Sequence, residues 1–564
     1  MIRIFRKRKK KKIVIEINPD EILLDINNLP QFDRQQFEGR LEKPIKKLTI
    51  GFIFNVMFFI CIIFVVRLFF LQIIKNPFYS IKSEQNNLNH RPIVADRGII
   101  YDRNNVELGW NISDPQTGKT IRKYIDNPGF ANLLGYVSYP AKDSSGKYWQ
   151  EEIIGKDGIE KEFNEKLSGI NGTNLVEINV FGSIINENMI EVPKQGENLN
   201  LSINSKVQET LALGIKMLAE DAGYTGGAGA IMDIYTGEMI SMITYPEYNQ
   251  NILAQGKDSK TINQYLTDPS RPFLNRVIKG LYTPGSIIKP FLAMAALEEN
   301  IIDSNKVIYT NGSLKIPNPY NPKLSTVFKD NADHGPVDMK KAITVSSNVY
   351  FYQIGGGFGT QKGLGISNIE KYTKLFGIGK KTGINFSEDI SGVVPSIEWK
   401  NKYFPGDAWR IGDTYNTSIG QYGFQVTPIQ MLRAISGIAS YGKLVTPTIL
   451  RVDDLSDDNI KHEDISLNRK NYNIIMSAMR SVVTSGTAFS LNNEKLHVAA
   501  KTGTAQIKNN TRINSWVIGF FPYEKPKYAF VVLMENGPLI TRGANAAFAP
   551  VVDLFTNNED LLTP

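Results

Sequence analysis

Nineteen consecutive uncharged residues near the start of the chain constrain its fold more than any other feature. The segment covers residues 48–66 and reads LTIGFIFNVMFFICIIFVV. As an α-helix it would be about 28 Å long, close to a bilayer core of about 30 Å. The apolar run resumes after Arg67 as LFFLQII, so Arg67 would lie near one interface. We therefore predict an uncleaved transmembrane anchor over residues 48–74 and a chain that crosses the membrane once.

A cleaved signal peptide or a buried core helix is the alternative interpretation of this segment. A signal peptide has a short basic start, an apolar run of about 7–15 residues and a small-residue cleavage site. Here a tail of 47 residues precedes the run, the run is longer, and it continues into KNPFYS without such a site. These differences favour the anchor.

The distribution of charge gives the anchor an orientation. The chain has 564 residues and a net charge of +8. Residues 1–47 contain 13 basic and seven acidic side chains, so most of the excess positive charge lies in this tail. The positive-inside rule places this basic tail in the cytoplasm and the residues after the anchor outside the cell membrane. The basic run can also contact anionic lipid. Because the excess charge lies in one tail, we do not expect a nucleic-acid partner.

Cysteine and histidine content gives no indication of a metal site or a disulfide framework. The one cysteine, Cys61, lies within the predicted anchor, so the exterior part has no thiol. The four histidines are scattered without ligand spacing. We expect neither a metal nor another cofactor, although a site of Asp, Glu and His assembled by folding stays open.

The composition and the predicted secondary structure of the exterior chain change near residue 200. Residues 76–200 are rich in Asn, Gly and Lys with short β-like runs, which is typical of a spacer. From 201 the pattern predicts an amphipathic helix, two strands about a Thr236-Gly237 turn, helical segments up to about residue 480, three further strands and a closing helix. Strands at both ends with helices between predict an antiparallel sheet whose ends meet in space.

A serine and a lysine three residues apart stand at a predicted helix start. The tetrad SIIK runs from Ser286 to Lys289 and opens the apolar run PFLAMAALEEN. Both side chains would lie on one helix face, where the lysine could be the base that a serine nucleophile needs, if burial or a second cation lowers its pKa. Alone the spacing is weak, because Ser144 and Lys147 share it and Ser286 could equally be a helix cap.

A second motif, S-x-N, is formed by Ser346 and Asn348. It lies between apolar helical runs, where a buried pocket is plausible. The same three-residue pattern begins at Ser202, Ser466 and Ser490, so the alternative for this pair is a satisfied polar contact in a helix connection.

A third motif, K-T-G, occurs twice. Lys501, Thr502 and Gly503 follow the strand-like LHVAA, and a lysine and hydroxyls on a strand edge can bind a carboxylate while glycine lets a substrate backbone approach. The copy that begins at Lys381 follows the Gly-rich FGIGK, which is typical of a surface turn.

In the order S-x-x-K, S-x-N, K-T-G the motifs are far more specific than any one alone. With them, nearly all of the exterior chain resembles a class B penicillin-binding protein. HGPVDMKKAITVSSNVYFYQ and GDTYNTSIGQ are most similar to the elongation type, penicillin-binding protein 2, and RGIIYDRNN is similar to the family's pedestal. Two departures stand out: Asn105 and Tyr422 occupy positions where that family usually has glycine.

The resemblance implies four segments. They are a basic cytoplasmic tail (1–47), the transmembrane anchor (48–74), a β-rich pedestal or dimerisation-type domain (75–200) and an α/β transpeptidase domain (201–564). The last would be a five-stranded antiparallel sheet covered by helices, the fold shared by penicillin-binding proteins and β-lactamases.

The implied activity is D-alanyl-D-alanine transpeptidation, which cross-links peptidoglycan stem peptides during lateral cell-wall elongation and is blocked by β-lactams. Ser286 would be the nucleophile and Lys289 its base. Ser346 would relay the proton to the leaving amine, and Asn348 would position the substrate amide.

Substrate binding is implied for the third motif. Lys501, Thr502 and Thr504 would hold the terminal carboxylate beside Gly503, and backbone N–H groups of Ser286 and Thr504 would form the oxyanion hole. The sequence contains no glycosyltransferase motif before the pedestal, so the resemblance also implies a membrane partner, a SEDS-type glycosyltransferase.

Other functions stay open from sequence. A D,D-carboxypeptidase or a division-type transpeptidase would share these motifs, whereas a β-lactamase would be expected as a soluble domain of about half this length without a pedestal. A non-enzymatic scaffold that activates the glycosyltransferase is a further alternative, and the three intact motifs argue against it.

The two K-T-G copies give a test within one chain. Lys501→Ala should slow penicillin acylation by about 10- to 150-fold, because a carboxylate partner in a partly dry cleft contributes roughly 1.5–3 kcal/mol. Lys381→Ala, the matched control, should change the rate less than about threefold. Second-order rate constants compared at equal ionic strength would decide, and an impaired Lys381 variant would contradict the strand-edge site.

Overall fold

The computed structural model describes most of the chain from residue 47 onward. The described residues are 47–79, 88–115, 120–144, 148–178, 184–318, 321–452, 460–507 and 510–562. Residues 1–46 of the predicted cytoplasmic tail lie outside them. The chain divides into two compact units, Met1–Leu88 and Asn89–Pro564.

The first unit contains the predicted anchor as one continuous helical run. Helix α1 (Lys47–Phe69) passes into a π-helical turn, Phe70–Ile74. Leu48–Ile74 has a mean hydropathy of 2.7 and is long and apolar enough to cross a membrane. Cys61 is exposed on its surface. The length of the predicted anchor agrees with this helix, and its orientation stays a prediction.

The second unit begins with short strands and helices. The strands are β1 (Leu88–Ile93), β2 (Ile100–Tyr101), β3 (Glu107–Ser113), β4 (Thr120–Tyr124), β5 (Val137–Ser138), β6 (Ala141–Lys142), β7 (Tyr148–Gln150), β8 (Ile154–Gly155), β9 (Gly172–Ile178), β10 (Ile184–Glu191) and β11 (Leu199–Asn200). The helices are α2 (Ala131–Leu134), α3 (Gly158–Glu162) and α4 (Asn164–Leu167). The sheet orders are β1-β9-β10, β11-β2-β3-β4, β5-β8 and β6-β7. This is the strand-and-turn texture predicted for a spacer.

A buried charge cluster joins these short elements. Glu160 of α3 accepts from the guanidinium groups of Arg97 and Arg122, and all three side chains are fully buried. Arg97 also donates to the backbone carbonyls of Ile153 and Glu160. Such short elements bury little apolar surface of their own. One carboxylate paired with two guanidiniums therefore occupies part of the interior between them.

The rest of the unit is an α/β domain. Its strands are β12 (Gly226–Asp233), β13 (Met239–Tyr245), β14 (Ile308–Asn318), β15 (Asn321–Val337), β16 (Lys443–Val445), β17 (His462–Asp464), β18 (Ala499–Ile507), β19 (Arg512–Phe521) and β20 (Tyr528–Pro538). Its helices are α5 (Ser205–Ala222), α6 (Gln250–Gln255), α7 (Ser259–Thr267), α8 (Arg276–Lys279), α9 (Lys289–Glu298), α10 (Met339–Thr344), α11 (Asn348–Gly356), α12 (Gly365–Leu375), α13 (Ile397–Tyr403), α14 (Ile411–Ser418), α15 (Pro428–Ala439), α16 (Arg469–Ser485) and α17 (Asn545–Asn557).

The central sheet has the order β13-β12-β20-β19-β18, with antiparallel neighbours. The predicted five-stranded sheet is confirmed, because β12 pairs with β20 and so joins the two ends of the domain. α15 packs against β12, β19 and β20, while α5 packs against β12, β13 and α17. Strand β18 lies at the edge of the sheet, where its side chains can reach a neighbouring layer.

One predicted stretch differs from the structure. The sequence predicts helical segments up to about residue 480, whereas Ile308–Asn318 and Asn321–Val337 form an antiparallel arm of β14 and β15, in which Ile308 pairs with Val337 and Lys315 with Val327. Prolines at 317, 319 and 322 and the β-branched pair Thr326-Val327 disfavour a helix there. The predicted boundary at 200/201 lies inside the second compact unit, where Leu201 bridges Leu450, and it stays a prediction.

Replacing Glu160 by Gln is expected to destabilise the protein by about 3–5 kcal/mol, because two buried guanidiniums would lose their counter-charge. Burial alone would raise the pKa of Glu160, but the two arginines outweigh it and the net pKa lies below its ordinary value. The stabilisation is therefore present above the unfolded pKa and is lost as pH falls through the folded pKa.

Urea unfolding of the detergent-solubilised protein, followed against pH, measures both effects. The exposed Glu165→Gln in α4 is the matched control and should shift stability by less than about 0.5 kcal/mol. Equal midpoints for the two variants would contradict a structural role for the cluster.

Candidate active site

Ser286 lies in a short 3-10 turn, Gly285–Ile288, directly before α9. Gly285 has a φ of +58° and donates its N–H to the carbonyl of Gly420. A Cβ at Gly285 would lie 2.8 Å from the carbonyl oxygen of Thr504, so only glycine fits this approach. The N-cap of α9 is Ile288 rather than Ser286, which leaves the serine half-buried with its hydroxyl at the cleft.

Lys289, the first residue of α9, is fully buried. Its Nζ donates to the carbonyl oxygen of Ser346 at 2.7 Å and to Oδ1 of Asn348 at 2.8 Å, and it lies 3.3 Å from Ser346 Oγ. A neutral amine has two N–H donors for the two carbonyl oxygens and keeps a lone pair that can take a proton from a hydroxyl. The contacts are therefore compatible with the base predicted from sequence.

The S-x-N motif forms the turn between α10 and α11. Ser346 has a φ of +60°, a left-handed conformation that side chains rarely adopt. Asn348 is the first residue of α11, whose N-cap is Ser347. This turn places the Ser346 hydroxyl between two lysines, since Lys501 Nζ also donates to Ser346 Oγ at 2.9 Å.

The K-T-G motif lies on the edge strand β18. Lys501 is fully buried and also donates to the carbonyl of Thr502 at 2.8 Å. Thr502 Oγ1 lies 2.5 Å from Thr487 Oγ1, and the side chain of Thr504 is exposed. A Cβ at Gly503 would lie 2.9 Å from Ile287 and 3.1 Å from the carbonyl of Pro284. Glycine is thus needed here for the serine turn to pack on the strand, a reason that sequence did not provide.

These segments surround one cleft of about 840 Å³. It is lined by Ser286, Lys329, Asp330, Asn331, Ser346, Asn348, Tyr352, Asn416, Ile419, Gln421, Thr487, Thr502, Gly503, Thr504, Gln506, Asn510, Ser515, Gly543 and Asn545. The structure therefore brings all eight predicted site residues together. Six of them line the cleft, and the buried Lys289 and Lys501 contact the cleft residue Ser346.

Both buried lysines have lowered pKa values, and burial is the largest cause for each. Burial lowers the pKa of Lys289 well below its ordinary value, and the charge of Lys501 lowers it further while Asp330 acts in the opposite direction. Burial lowers the pKa of Lys501 to about 7. Lys289 can therefore be neutral beside a Lys501 that is still partly charged near neutral pH.

Two other copies of the motifs, at Lys381 and Ser202, are not among the residues that line the cleft. Lys381 is exposed in a turn where Thr382 and Gly383 donate to Asp389, as predicted for a surface turn. Ser202 is buried and donates to the carbonyl of Met239. Lys147 lies outside the described residues.

Sequence reasoning missed three contributors. Asp330 on β15 bonds to the S-x-N turn, Thr487 after α16 meets Thr502, and Trp516 Nε1 on β19 donates to the carbonyl of Thr283 and so holds the loop before Ser286. Asp330 and Thr487 lie 17 and 15 positions from the residues that they contact and Trp516 lies 233 positions away, and none of the three belongs to a recognisable motif.

A serine turn, two buried lysines and an edge strand around one cleft, on a helix-covered antiparallel sheet, define the class of penicillin-recognising serine acyltransferases. Residues 227–554 match the family description "Penicillin binding protein transpeptidase domain", and residues 115–201 match "Penicillin-binding Protein dimerisation domain". The chain belongs to the penicillin-binding protein transpeptidase family.

Individual proteins within this family are similar to the chain over most of its length. The chain is 30% identical to "Peptidoglycan D,D-transpeptidase MrdA" of Haemophilus influenzae, over 77% of this chain and 69% of the relative. It is 27% identical to the MrdA of Acinetobacter baumannii, over 93% and 90%. Among solved structures, a Helicobacter pylori complex between PBP2 and MreC aligns with a TM-score of 0.67 and 26% identity, over 84% of this chain and 99% of that one.

The pair of lysines predicts a bell-shaped pH profile for penicillin acylation. The rate should rise with pH as Lys289 becomes neutral and fall above about pH 7 as Lys501 loses the charge that holds a carboxylate. In Lys501→Arg the alkaline limb should move to much higher pH, because a guanidinium stays protonated. Second-order rate constants report the free enzyme, and an alkaline limb that is identical in both proteins would contradict this role of Lys501.

Proposed function

We propose that this protein is a peptidoglycan D,D-transpeptidase of the elongation type, anchored in the cell membrane. The observation that carries the proposal is the convergence of three distant segments on one hydroxyl: both buried lysines contact Ser346, in a cleft that also contains Ser286. The relatives named MrdA and the aligned PBP2 structure support the same activity.

The first half-reaction forms an acyl-enzyme. Neutral Lys289 takes the proton of the Ser286 hydroxyl as its oxygen attacks the carbonyl carbon of the penultimate D-Ala of a donor stem peptide. The C–N bond then breaks, and the terminal D-Ala leaves as an amine that receives a proton through the Ser346 hydroxyl. Asn348 holds the donor amide in the cleft.

Charge stabilisation comes from the edge strand and the serine turn. Charged Lys501, with the hydroxyls of Thr502 and Thr504, binds the terminal carboxylate of the donor beside Gly503. The backbone N–H groups of Ser286 and Thr504 bind the developing oxyanion, where one donor is typically worth about 2.7–4 kcal/mol.

The second half-reaction transfers the acyl group. An amine of a second stem peptide loses its proton to the same base and attacks the acyl carbon, which forms the cross-link and restores the Ser286 hydroxyl. β-Lactams acylate Ser286 in the same way, and their covalent adduct persists because no leaving group departs from the cleft.

The remaining segments hold the protein in the membrane and bind its partners. The helix Leu48–Ile74 anchors the protein, with the basic tail in the cytoplasm and the catalytic domain outside. Residues 75–200 form the pedestal and 201–564 the transpeptidase domain. Glycan polymerisation comes from a SEDS-type glycosyltransferase that contacts the anchor and pedestal, and the H. pylori complex with MreC makes an MreC-like protein a second candidate partner.

Ser286→Ala should abolish covalent labelling by a fluorescent penicillin and leave the thermal unfolding midpoint within a few degrees of the original. Ser144→Ala, which removes the exposed serine of the other S-x-x-K match, is the control and should label normally. Labelling that survives in Ser286→Ala would contradict the assignment of the nucleophile.

Incubation with uncross-linked peptidoglycan separates the activities that share this acyl-enzyme. Transpeptidation releases one D-Ala for each cross-link formed, whereas a D,D-carboxypeptidase releases D-Ala without cross-links. A scaffold would give neither product and would not label.

A further inference from the structure

A side chain outside the three motifs holds the S-x-N turn. Asp330 on β15 accepts from the Ser347 hydroxyl at 2.6 Å and from the backbone N–H groups of Asn348 at 2.5 Å and Val349 at 3.0 Å. It is half-buried and lines the cleft. Three hydrogen bonds therefore connect one carboxylate to the residues that directly follow Ser346.

The position of this carboxylate suits the backbone that it contacts. Its partners are the first free N–H groups of α11, a helix of nine residues, where a negative charge is favourable. Bonds from N–H and O–H groups to an ionised carboxylate are stronger than neutral ones. The interaction is thus placed to keep Asn348 in position and to stabilise the uncommon backbone conformation of Ser346.

Neighbouring residues of β15 contact the same turn. The Lys329 carbonyl accepts from the Tyr352 hydroxyl at 3.2 Å, and Asn331 Nδ2 donates to the carbonyl of Val345 at 3.1 Å. The β14–β15 arm therefore makes several hydrogen bonds to the S-x-N turn, and Asp330 provides the charged one.

The same turn supplies the acceptors of the proposed base. Lys289 donates to the Ser346 carbonyl and to Asn348 Oδ1, so a shift of this turn displaces the base from both. The charged and titratable groups around Lys289 and Asp330 are Lys501 on β18, Lys329 on β15 and Tyr352 on α11. The charge of Lys501 lowers the pKa of Lys289, and the charge of Asp330 raises it.

We propose that Asp330 is a positioning residue for acyl transfer: its three hydrogen bonds fix the Ser346–Asn348 turn against Lys289. The proposal rests on the proposed function, since it concerns the same acyl-enzyme. It assigns a catalytic contribution to the β14–β15 arm, which contains none of the three motifs.

The test compares three variants of the full-length, detergent-solubilised protein. Asp330→Asn removes the charge, Asp330→Glu keeps the charge on a longer side chain, and Asp333→Asn removes a charge from an exposed position on the same strand, where it bonds to the nearby Gly335 N–H. A fluorescent penicillin first titrates the active sites, and the second-order acylation rate constant per titrated site is then measured against pH.

Asp330→Asn should react at least about tenfold more slowly per site, because misplacement of a catalytic group by about 1 Å can cost 100-fold. Its acid limb should move to lower pH, because the charge of Asp330 raises the pKa of Lys289. Asp330→Glu should be slower but keep the acid limb of the original protein. Asp333→Asn should match the original protein in both.

A merely structural role would lower the number of titrated sites and leave the acid limb unmoved. The proposal is overturned if Asp330→Asn reacts within about threefold of the original rate per site, or if its acid limb stays in place. If the original protein itself does not label, the proposed function fails and this inference with it; if it labels and Asp330→Asn matches it, this inference alone fails.

Discussion

Two buried lysines on one serine hydroxyl are the interaction on which the site depends. Lys289 and Lys501 are both fully buried and both contact Ser346 Oγ. Two ammonium groups so placed would repel each other in a poorly solvated setting, so the pair is more stable when one lysine is neutral. In the proposed mechanism this makes an ordinarily protonated side chain, Lys289, available as a base without a histidine.

The scaffold maintains this unfavourable pair by close packing of backbone. The serine turn approaches β18 so tightly that Gly285 and Gly503 have no room for a side chain, and the N–H of Gly285 bonds to Gly420. The turn that contains Ser346 is held by Asp330 from the opposite side. Burial therefore does two things at once: it brings three segments within hydrogen-bond distance and removes the water that would keep both lysines charged.

The two departures from the usual family glycines have a common geometry. Asn105 and Tyr422 have φ values of +62° and +60°. Asn adopts this conformation readily, whereas a tyrosine there costs about 1–3 kcal/mol. The ring of Tyr422 packs edge-on against Trp399 and Trp409, which offsets that strain. Because Gln421 lines the cleft, this aromatic packing supports the cleft wall at a position where backbone freedom would otherwise be expected.

The amino-acid sequence was sufficient to predict the long apolar helix, the sheet whose two ends meet and the residue types around the cleft. Hydrophobic length, strand periodicity and motif order can all be seen in the chain before it folds. The sequence could not identify Asp330 or Thr487, because their contacts join residues 15–19 positions apart and no motif marks either residue. It also predicted helix where β14 and β15 form an arm. Two features follow from folding alone: Gly503 lets the serine turn pack on the strand, and both lysines have lowered pKa values. Both depend on burial and on which atoms lie within a few ångströms after folding.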